Sequence, residues 1–405
     1  MIVCAAGNDN ASIMQSLIQG EVSLSKSYDI IMGDKDFNLG IIKNLTPLPS
    51  HTPKHFNSRT NTILYNALLN GNNLIKEILA HLNTVSIIIG TTTTGIEENY
   101  KAIPKKQYLQ DFSSLDNPAL FVRHLYGICA LSFGVCSACT SGVKAIIEGA
   151  RLIKSNLSEA VICGGVDSLN TLTINGFDSL EILSPNPAKA FCEDRGGINI
   201  GEGAGVFVLI SDEALDKIPH LRDEFKLVLK GYASNNDAFH ITKPRTDFAS
   251  QEQLLKNALE SARLKPQDID YINLHGTGTP ANDEMEAKTF AYALNGAFKT
   301  CPASSIKPLI GHTLGAAGAI EAGVCAELIL QSLQTNGLKS NLQNSSPKDS
   351  SPQSYLIPHI YDYDKSLPHI TLAKKGDKAK VCNALSVSFA FGGDNSAIIL
   401  SKSTN

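Results

Sequence analysis

Uninterrupted apolar runs recur along the chain and predict β-strands that are buried on both faces. Three of these runs occupy residues 85–90, 160–164 and 205–210. Strands without polar alternation are typical of sheets that helices cover on both sides. Two further strands are predicted at residues 226–231 and 271–275, and the second leads into a Gly-rich turn. The pattern therefore indicates an α/β protein.

Apolar residues at helical spacing predict helices between these strands. One helix begins near residue 139, and its apolar residues share one face: Val143, Ile146, Ile147 and Ala150. On its opposite face, Lys144 and Glu148 have the spacing of an i,i+4 ion pair. A second amphipathic helix is predicted over residues 254–262.

A long helix is predicted over residues 314–333, although it contains Gly315, Gly318 and Gly323. Each interior glycine costs a helix about 1 kcal/mol relative to alanine, so we expect close packing to compensate. The many small residues make this helix similar to the one that follows residue 139. The similarity predicts a duplicated α/β unit with an N-terminal half over residues 1–215 and a C-terminal half over residues 216–405.

Length and composition are those of a globular protein. The chain has 405 residues, enough for two domains, with 43% hydrophobic and 18% charged residues. A net charge of −4 gives no sign of nucleic-acid binding. Residues 46–58, with three prolines, and residues 340–354, rich in Ser, Asn and Pro, predict loops.

Targeting signals and cysteine usage predict a cytoplasmic protein without membrane insertion. No apolar run reaches the roughly 20 residues of a membrane helix. The first residues lack both the basic head and the long apolar core of a signal peptide. The nine cysteines are odd in number and scattered through apolar segments, which favours reduced thiols over a disulfide framework.

A cysteine stands among small residues at the start of the first predicted helix. Residues 137–142 read Ser-Ala-Cys-Thr-Ser-Gly, with Cys139 at the centre. A thiolate is both a nucleophile and a good leaving group, and its pKa falls at a helix N-terminus. Burial as a structural cysteine is the ordinary alternative. A redox pair with Cys136 is another.

Two histidines occur in Gly-containing segments of the second half. His275 opens residues 275–280 (His-Gly-Thr-Gly-Thr-Pro), and His312 closes residues 307–312 (Lys-Pro-Leu-Ile-Gly-His). The neighbouring glycines allow the backbone to approach a ligand closely. A single histidine in such a place is more often a structural hydrogen-bonding group, but two in these contexts favour a shared chemical role. Phe391, in residues 389–393 (Phe-Ala-Phe-Gly-Gly), belongs to a further Gly-rich loop.

These four segments, in this order, resemble the β-ketoacyl-acyl-carrier-protein synthases, the condensing enzymes of fatty-acid and polyketide assembly. The resemblance covers nearly the whole chain. It implies a thiolase-like α/β fold of two pseudo-symmetric halves in an α/β/α/β/α arrangement. The combination of Cys139, His275 and His312 with Lys307 is similar to the elongating enzymes, because initiating synthases use Cys, His and Asn. Thiolases carry a second catalytic cysteine near the C-terminus, whereas Cys382, the last cysteine here, matches no thiolase motif.

The resemblance implies a decarboxylative Claisen condensation and a role for each residue. Cys139 would carry the acyl group, and His275 and His312 would support decarboxylation of malonyl-carrier protein. Lys307 would be buried near His312 and tune its protonation. Four further residues have implied roles: Thr277 and Thr279 as hydroxyls that bind the pantetheine arm or malonyl group, Phe391 as gate and donor of a backbone N–H to the oxyanion hole beside that of Cys139, and Glu286 as a structural partner.

The resemblance also implies partners. The chemistry needs no metal, nucleotide or redox cofactor, since the phosphopantetheine belongs to the acyl-carrier protein. Carrier proteins are acidic, so a basic rim is expected, with these candidates: Lys105, Lys106, Lys374 and Lys375. The family is dimeric, which leaves a homodimer or a heterodimer with a chain-length partner. Two other interpretations remain at this point: a non-catalytic chain-length subunit, and a thiol redox protein built on Cys136 and Cys139.

Several segments depart from the family pattern. Ala390 replaces the usual glycine and Asp394 the usual threonine, so the range of motion of the gating loop is in question. Residues 190–197 lack two usual acidic groups, and the N-terminus is expected to be about one strand short. Other phrases resemble the narrower group of aryl-polyene synthases: residues 175–181, residues 275–283 and residues 388–393.

Overall fold

The computed structural model describes residues 1–27, 36–333 and 353–403. The strands are β1 Ile2–Cys4, β2 Ser25–Ser27, β3 Phe37–Leu39, β4 Val85–Gly90, β5 Ser132–Val135, β6 Ala160–Asp167, β7 Gly203–Ile210, β8 Leu227–Asn236, β9 Tyr271–Asn273, β10 Ala303–Ser304, β11 Ser354–Tyr355, β12 Lys378–Ala379, β13 Asn383–Phe389 and β14 Asp394–Lys402. The helices are α1 Asn10–Gln19, α2 Arg59–Leu69, α3 Asn72–His81, α4 Ile96–Ala102, α5 Asn117–Tyr126, α6 Ser141–Lys154, α7 Thr171–Ser179, α8 Asp212–Leu215, α9 Ala249–Ala262, α10 Pro280–Gly296, α11 Lys307–Ile310 and α12 Ala317–Leu333.

Two five-stranded sheets form the framework of the described residues. Their strand orders are β1-β7-β6-β4-β5 and β10-β9-β13-β14-β8. Starting from β5 in the first sheet and from β10 in the second, the first two pairings are parallel and the next two antiparallel. This repeated order confirms the predicted α/β fold of two pseudo-symmetric halves. The division of the chain at residue 215 stays a prediction, although the two sheets lie on either side of it.

Helices α6 and α12 are sandwiched between the two sheets, since each contacts strands of both. Glycines let the two helices approach closely. A Cβ placed on Gly142 would lie 2.9 Å from the Cβ of Ala319, and one on Gly318 would lie 2.2 Å from a methyl carbon of Val143. The close packing predicted for the glycine-containing helix is therefore confirmed, and it fixes the position of the N-terminal end of α6 in the core.

The span Leu314–Leu333 is helical and predominantly apolar. It has 20 residues and a mean hydropathy of 1.4 in its most apolar window, so by length and composition alone it could cross a membrane. In the part of the chain that the structure describes, it is the one helix of this kind, and 83% of that window is buried inside the protein. Its apolar surface is therefore used in the core between the sheets.

Four local predictions differ from the structure in whole or in part. Lys144 and Glu148 do not pair with each other; Lys144 binds Asp394, and Glu148 binds Arg151. The strand predicted over residues 226–231 extends to residue 236 as β8, and the one over 271–275 ends at residue 273 as β9. Most of the loop predicted over 340–354 lies outside the described residues, and its last residue begins β11.

Candidate active site

The residues singled out in the sequence converge on one cavity of about 400 Å³. Six of them line it: Cys139, His275, Thr277, Thr279, His312 and Phe391. The remaining two, Lys307 and Glu286, are buried behind His275 and hydrogen-bond to it. Segments from both sides of residue 215 thus meet at the thiol.

Cys139 lies on a tight turn between β5 and α6. Ala138 has a φ of 51°, in the left-handed region that non-glycine residues rarely adopt. The turn is held by the hydroxyl and the amide of Ser141, which donate to the Ala138 carbonyl at 2.6 and 3.1 Å. Small neighbours allow this backbone, and the turn places the Cys139 side chain in the cavity.

Burial raises the pKa of the Cys139 thiol to about 12. The Lys307 cation acts in the opposite direction, Asp167 and Glu321 raise the pKa further, and a hydrogen bond from the Phe391 backbone amide lowers it. The sequence predicted a lowered pKa from the position near a helix N-terminus, and that expectation is corrected here. Desolvation disfavours the charged thiolate, so the resting group is a neutral thiol.

The imidazole of His312 lies against this thiol. Its Nε2 atom is 3.1 Å from Cys139 Sγ, and its Nδ1 atom accepts a hydrogen bond from the Leu314 amide at 3.1 Å. Because an amide can only donate, Nδ1 carries no proton and Nε2 carries one in the neutral ring. Burial, then the Lys307 cation, holds the pKa of His312 well below its usual value. His312 is therefore a neutral donor to Cys139.

His275 has the same arrangement. Its Nδ1 atom is 3.3 Å from the ammonium of Lys307, which can only donate, so Nε2 carries the proton. The ring is perpendicular to that of His312, with centroids 5.5 Å apart. Burial, then Lys307 and His312, holds the pKa of His275 well below its usual value. The site thus contains two neutral imidazoles, each with an Nε2–H donor.

Lys307 forms its hydrogen bond with His275, whereas the sequence placed it beside His312. It also makes an ion pair with Glu321 inside the protein, where both side chains are at most 3% exposed. Glu321 was not identified from the sequence. Two carboxylates, Glu321 and Glu327, interrupt the otherwise largely apolar span 314–333. They were the available signal, because buried acids are almost always paired.

Glu286 holds the backbone that carries His275. Its two carboxylate oxygens accept hydrogen bonds from the amides of His275 and Gly276 at 2.6 and 2.7 Å. Burial raises the pKa of Glu286 to about 8. Nearby, the hydroxyls of Thr277 and Thr279 are 3.0 Å apart and line the cavity. The side chain of Glu286 thus fixes the turn, while the two threonines present hydroxyls to the interior of the cavity.

The loop of residues 390–393, which we call the gate loop, closes one side of the cavity. Gly392 and Gly393 have φ values of 85° and 73° and need glycine, whereas Ala390 does not have a positive φ. The alanine at position 390 is therefore compatible with this conformation. Phe391 is 37% exposed, and its ring centroid is 6.0 Å from that of Phe177 at the cavity wall.

The segment 190–197 obtains its acidic partners from elsewhere in the chain. The Phe191 amide donates to Asp283 at 2.7 Å, and Arg195 forms an ion pair with Asp364 at 2.5 Å. Two carboxylates distant in sequence thus hold this segment. The segment packs behind the turn that carries His275, since a Cβ on Gly276 would lie 3.1 Å from the Phe191 ring.

The basic residues predicted for a docking rim do not line this cavity. One lysine, Lys243, is among the described residues that line the cavity, and it is exposed at the cavity mouth. No group of three or more His, Cys, Asp or Glu side chains within residues 1–27, 36–333 and 353–403 is arranged to hold a metal ion.

Comparisons with known proteins show the family to which this chain belongs. The family model described as beta-ketoacyl synthase, N-terminal domain, matches residues 64–214, and the model described as beta-ketoacyl synthase, C-terminal domain, matches residues 227–337. The ketoacyl synthase alpha subunit of the tetracenomycin polyketide synthase from Streptomyces glaucescens is 32% identical over 66% of this chain and 59% of its own length. The 3-oxoacyl-[acyl-carrier-protein] synthase 2 of Synechocystis is 30% identical over 81% of this chain and 77% of its own. Among solved structures, the ketosynthase (ApeO) in complex with its chain length factor (ApeC) from Xenorhabdus doucetiae is 32% identical, covers 99% of this chain and 96% of its own, and has a TM-score of 0.87.

Proposed function

Because this chain belongs to the β-ketoacyl synthase family, we propose that it catalyses the decarboxylative Claisen condensation of an acyl group on Cys139 with malonyl-acyl-carrier protein. The product is a β-ketoacyl chain that is two carbons longer, in fatty-acid or polyketide assembly. One observation carries the proposal: a thiol lies 3.1 Å from the Nε2 atom of one buried imidazole, and a second imidazole of the same tautomer stands beside it.

The first step transfers the acyl group to the enzyme. The sulfur of Cys139 attacks the thioester carbonyl, the carbon–sulfur bond to pantetheine breaks, and the thiol proton passes to the departing pantetheine sulfur. The Nε2–H of His312 donates to the sulfur and so favours the thiolate during attack. The backbone amides of Cys139 and Phe391 donate to the oxyanion of the tetrahedral intermediate. The Phe391 backbone amide acts to lower the pKa of the Cys139 thiol, and this effect supports the placement.

The second step forms the nucleophilic carbon. The bond between the malonyl carboxylate and its methylene carbon breaks, releasing CO2 and leaving an enolate at the thioester. The Nε2–H groups of His275 and His312 donate to the enolate oxygen, and both rings remain neutral because their pKa values are low. The enolate carbon then attacks the acyl carbonyl on Cys139. The new carbon–carbon bond forms, the Cys139 thiolate leaves, and it regains a proton from water.

The surrounding residues have supporting roles. Lys307 holds the Nδ1 atom of His275 and lowers the pKa of both imidazoles through its charge. Thr277 and Thr279 bind the pantetheine arm or the malonyl group in the cavity. Glu286 is a structural partner of the His275 turn. Phe391 gates the route to the thiol with its side chain.

The phosphopantetheine arrives on the acyl-carrier protein, so the reaction needs no separate metal, nucleotide or redox cofactor. Carrier proteins are acidic, and electrostatic complementarity guides such encounters. Lys243 at the cavity mouth supports docking of an acidic partner there. We place the reaction in the cytoplasm, where acyl-carrier proteins and reduced thiols are found together.

The protein acts as a dimer, either with itself or with a chain-length partner. Strand β5 stands at the edge of the first sheet, and two apolar residues near it are exposed, Leu115 at 44% and Leu131 at 53%. An open strand edge with exposed apolar neighbours favours pairing with another chain. The Xenorhabdus ketosynthase was solved with its chain length factor. Together with the phrases shared with aryl-polyene synthases, that relative supports a heterodimer in a specialised polyene pathway.

A non-catalytic chain-length subunit is the alternative function, and the presence of chain length factors in related structures favours it. Such partners usually lack the nucleophile, whereas this chain keeps Cys139, both histidines and Lys307 around one cavity. A redox protein built on Cys136 and Cys139 would leave the two histidines and the lysine without a role.

Condensation itself is the test of the proposal. Acyl- and malonyl-loaded carrier protein are incubated with the purified chain, alone and with a chain-length partner, and the carrier is weighed by mass spectrometry. We expect a β-ketoacyl carrier product together with CO2. A chain that gives no product in either combination, and that is needed only to change the product length made by another ketosynthase, is the non-catalytic subunit.

A further inference from the structure

The carboxylate of Asp394 links the gate loop to the turn that carries the nucleophile. Asp394 is the first residue of β14 and directly follows the gate loop. Its Oδ2 atom is 2.5 Å from the hydroxyl of Thr140, the residue after Cys139, and its Oδ1 atom is 2.8 Å from the ammonium of Lys144 on α6. Three pieces of the site therefore meet at one side chain.

These contacts are enclosed and directional. The side chain of Asp394 is 13% exposed and that of Lys144 is 26% exposed. The Thr140 hydroxyl has one proton and several oxygens near it, and the carboxylate is both its shortest contact and its charged acceptor, so the proton points to Asp394. The carbonyl and the hydroxyl of Ser137, at 2.7 and 3.0 Å, are the uncharged alternative acceptors for this proton.

The backbone of Asp394 also closes the gate loop. Its carbonyl accepts a hydrogen bond from the Ala390 amide at 2.8 Å, and the Ala390 carbonyl accepts one from the Gly393 amide at 3.1 Å. The loop that presents the Phe391 amide is thus anchored at Asp394. The same residue reaches the turn that presents the Cys139 amide through its side chain.

We propose that Asp394 is a positioning residue that sets the Phe391 amide relative to the Cys139 amide, and that acyl transfer depends on it while malonyl decarboxylation does not. The inference rests on the proposed function, in which these two amides form the oxyanion hole. The two imidazole donors belong to other segments: His275 follows β9, and His312 follows α11. The hydrogen bonds of Asp394 described above go to neither of them.

Lys144 has a separate part in this arrangement. It neutralises the Asp394 carboxylate, which hydrogen-bonds to the residue that follows Cys139. Loss of the lysine alone leaves that carboxylate uncompensated, whereas loss of both charges does not. We therefore expect Lys144→Met to slow acyl transfer, even though Asp394 keeps its hydrogen bond to Thr140.

The experiment measures the two half-reactions separately on the same folded proteins. Acylation of Cys139 from an acyl-carrier protein is followed by rapid quench and intact-protein mass spectrometry. Decarboxylation is followed as acetyl-carrier protein formed from malonyl-carrier protein in the absence of an acyl donor. Removing a whole oxyanion-hole donor costs roughly 100- to 1000-fold, so a displaced donor in Asp394→Ala should slow acylation about 10-fold or more, with decarboxylation within about two-fold of wild type.

Matched variants separate positioning from general damage. Thr140→Val removes the hydroxyl donor and should slow acylation, whereas Thr140→Ser keeps the hydroxyl and should not. Lys288→Met removes a lysine from the i,i+4 ion pair with Glu284, away from the cavity, and should change neither step. Asp394→Asn keeps the shape of the side chain and carries the test if the alanine variant does not fold.

The outcomes are distinct. Acylation at the wild-type rate in both Asp394 variants overturns the proposal, and so does an equal loss of acylation and decarboxylation. A wild-type protein that performs neither half-reaction with its dimer partner present contradicts the proposed function itself, and the positioning role with it. Selective loss of acylation, with rescue by Thr140→Ser relative to Thr140→Val, supports it.

Discussion

The Nε2 atom of His312 lies 3.1 Å from the sulfur of Cys139, and the Leu314 amide fixes that nitrogen as the protonated one. A proton already on Nε2 means that His312 cannot accept the thiol proton at that atom. It acts as a hydrogen-bond donor, first to sulfur and then to an enolate oxygen. The same tautomer at His275, imposed by Lys307, makes the pair a two-donor site for negative charge on oxygen.

Decarboxylation should depend on both imidazole donors. We expect His312→Ala and His275→Ala each to lower the rate of malonyl decarboxylation by about 100-fold or more, as for loss of one donor to an oxyanion. His275→Asn and His312→Asn keep an N–H donor and should retain more activity than the alanine variants. The measurement is CO2 release from malonyl-carrier protein, and normal release from His312→Ala would refute the two-donor scheme.

The pH dependence of decarboxylation should reflect the lowered pKa values of the two histidines. Burial and Lys307 keep both rings neutral below the usual histidine pKa of 6.5. A proton on Nδ1 of His312 would face the N–H group of Leu314, and one on Nδ1 of His275 would face the ammonium of Lys307. Activity should therefore fall only well below pH 6.5. The rate of CO2 release is measured from pH 5 to pH 8 in wild type, with the folded state checked by circular dichroism. A loss of activity centred near pH 6.5 would contradict this electrostatic description.

Lys307→Met should move that profile toward neutral pH. The cation lowers the pKa of both histidines, so its removal lets those pKa values rise and activity is lost at higher pH than in wild type.

The same Lys307→Met variant should also be less stable. The buried Glu321 loses its partner, and breaking a buried ion pair costs about 3–5 kcal/mol of folding free energy. Urea unfolding measures the loss, and Lys307→Met/Glu321→Gln should recover part of it. Equal stabilities of the single and the double variant would argue against the buried pair.

The thiol of Cys139 should behave as a high-pKa group in the resting enzyme. Since burial raises its pKa to about 12, its alkylation by iodoacetamide should continue to accelerate above pH 9. The exposed Cys129 serves as the internal reference in the same peptide-mapping experiment. A plateau for Cys139 below pH 8 would indicate a lowered pKa, as the sequence alone predicted.

Close packing between α6 and α12 should limit substitution at Gly318. A Cβ there would lie 2.2 Å from a methyl carbon of Val143, so Gly318→Ala should destabilise the fold by about 1–3 kcal/mol in urea unfolding. Gly176 in α7 provides the control, because a Cβ there meets nothing within 4 Å. Gly176→Ala should be neutral or stabilising by up to about 1 kcal/mol. Equal effects at the two positions would contradict the packing argument.

The main chemical residues could be predicted because each belongs to a short local motif. Cys139, His275, His312 and Phe391 stand in segments whose residue types serve the chemistry, and apolar runs placed the strands that carry them. The pairing of Lys144 could not be found this way. An i,i+4 ion pair on a helix is worth only about 0.2–0.5 kcal/mol, so an enclosed carboxylate 250 positions away prevails over Glu148.

The electrostatics of the site were also beyond the sequence. A helix N-terminus predicted a low pKa for Cys139, but the depth of burial, which depends on how the two halves pack, acts more strongly. The contact of Lys307 with His275 depends likewise on the tertiary placement of α11. Residue types could be predicted locally, whereas partners and protonation states needed the packed core.

The most direct test of the central claim is intact-protein mass spectrometry after incubation with a panel of acyl-carrier proteins, with the dimer partner added where the chain requires one. Wild type should gain the mass of the acyl group, Cys139→Ala should gain nothing, and peptide mapping should place the adduct on Cys139. The preferred acyl group would then separate fatty-acid from polyene substrates. An adduct that persists in Cys139→Ala, or no adduct from any donor with folded wild-type protein and its partner, would contradict the account.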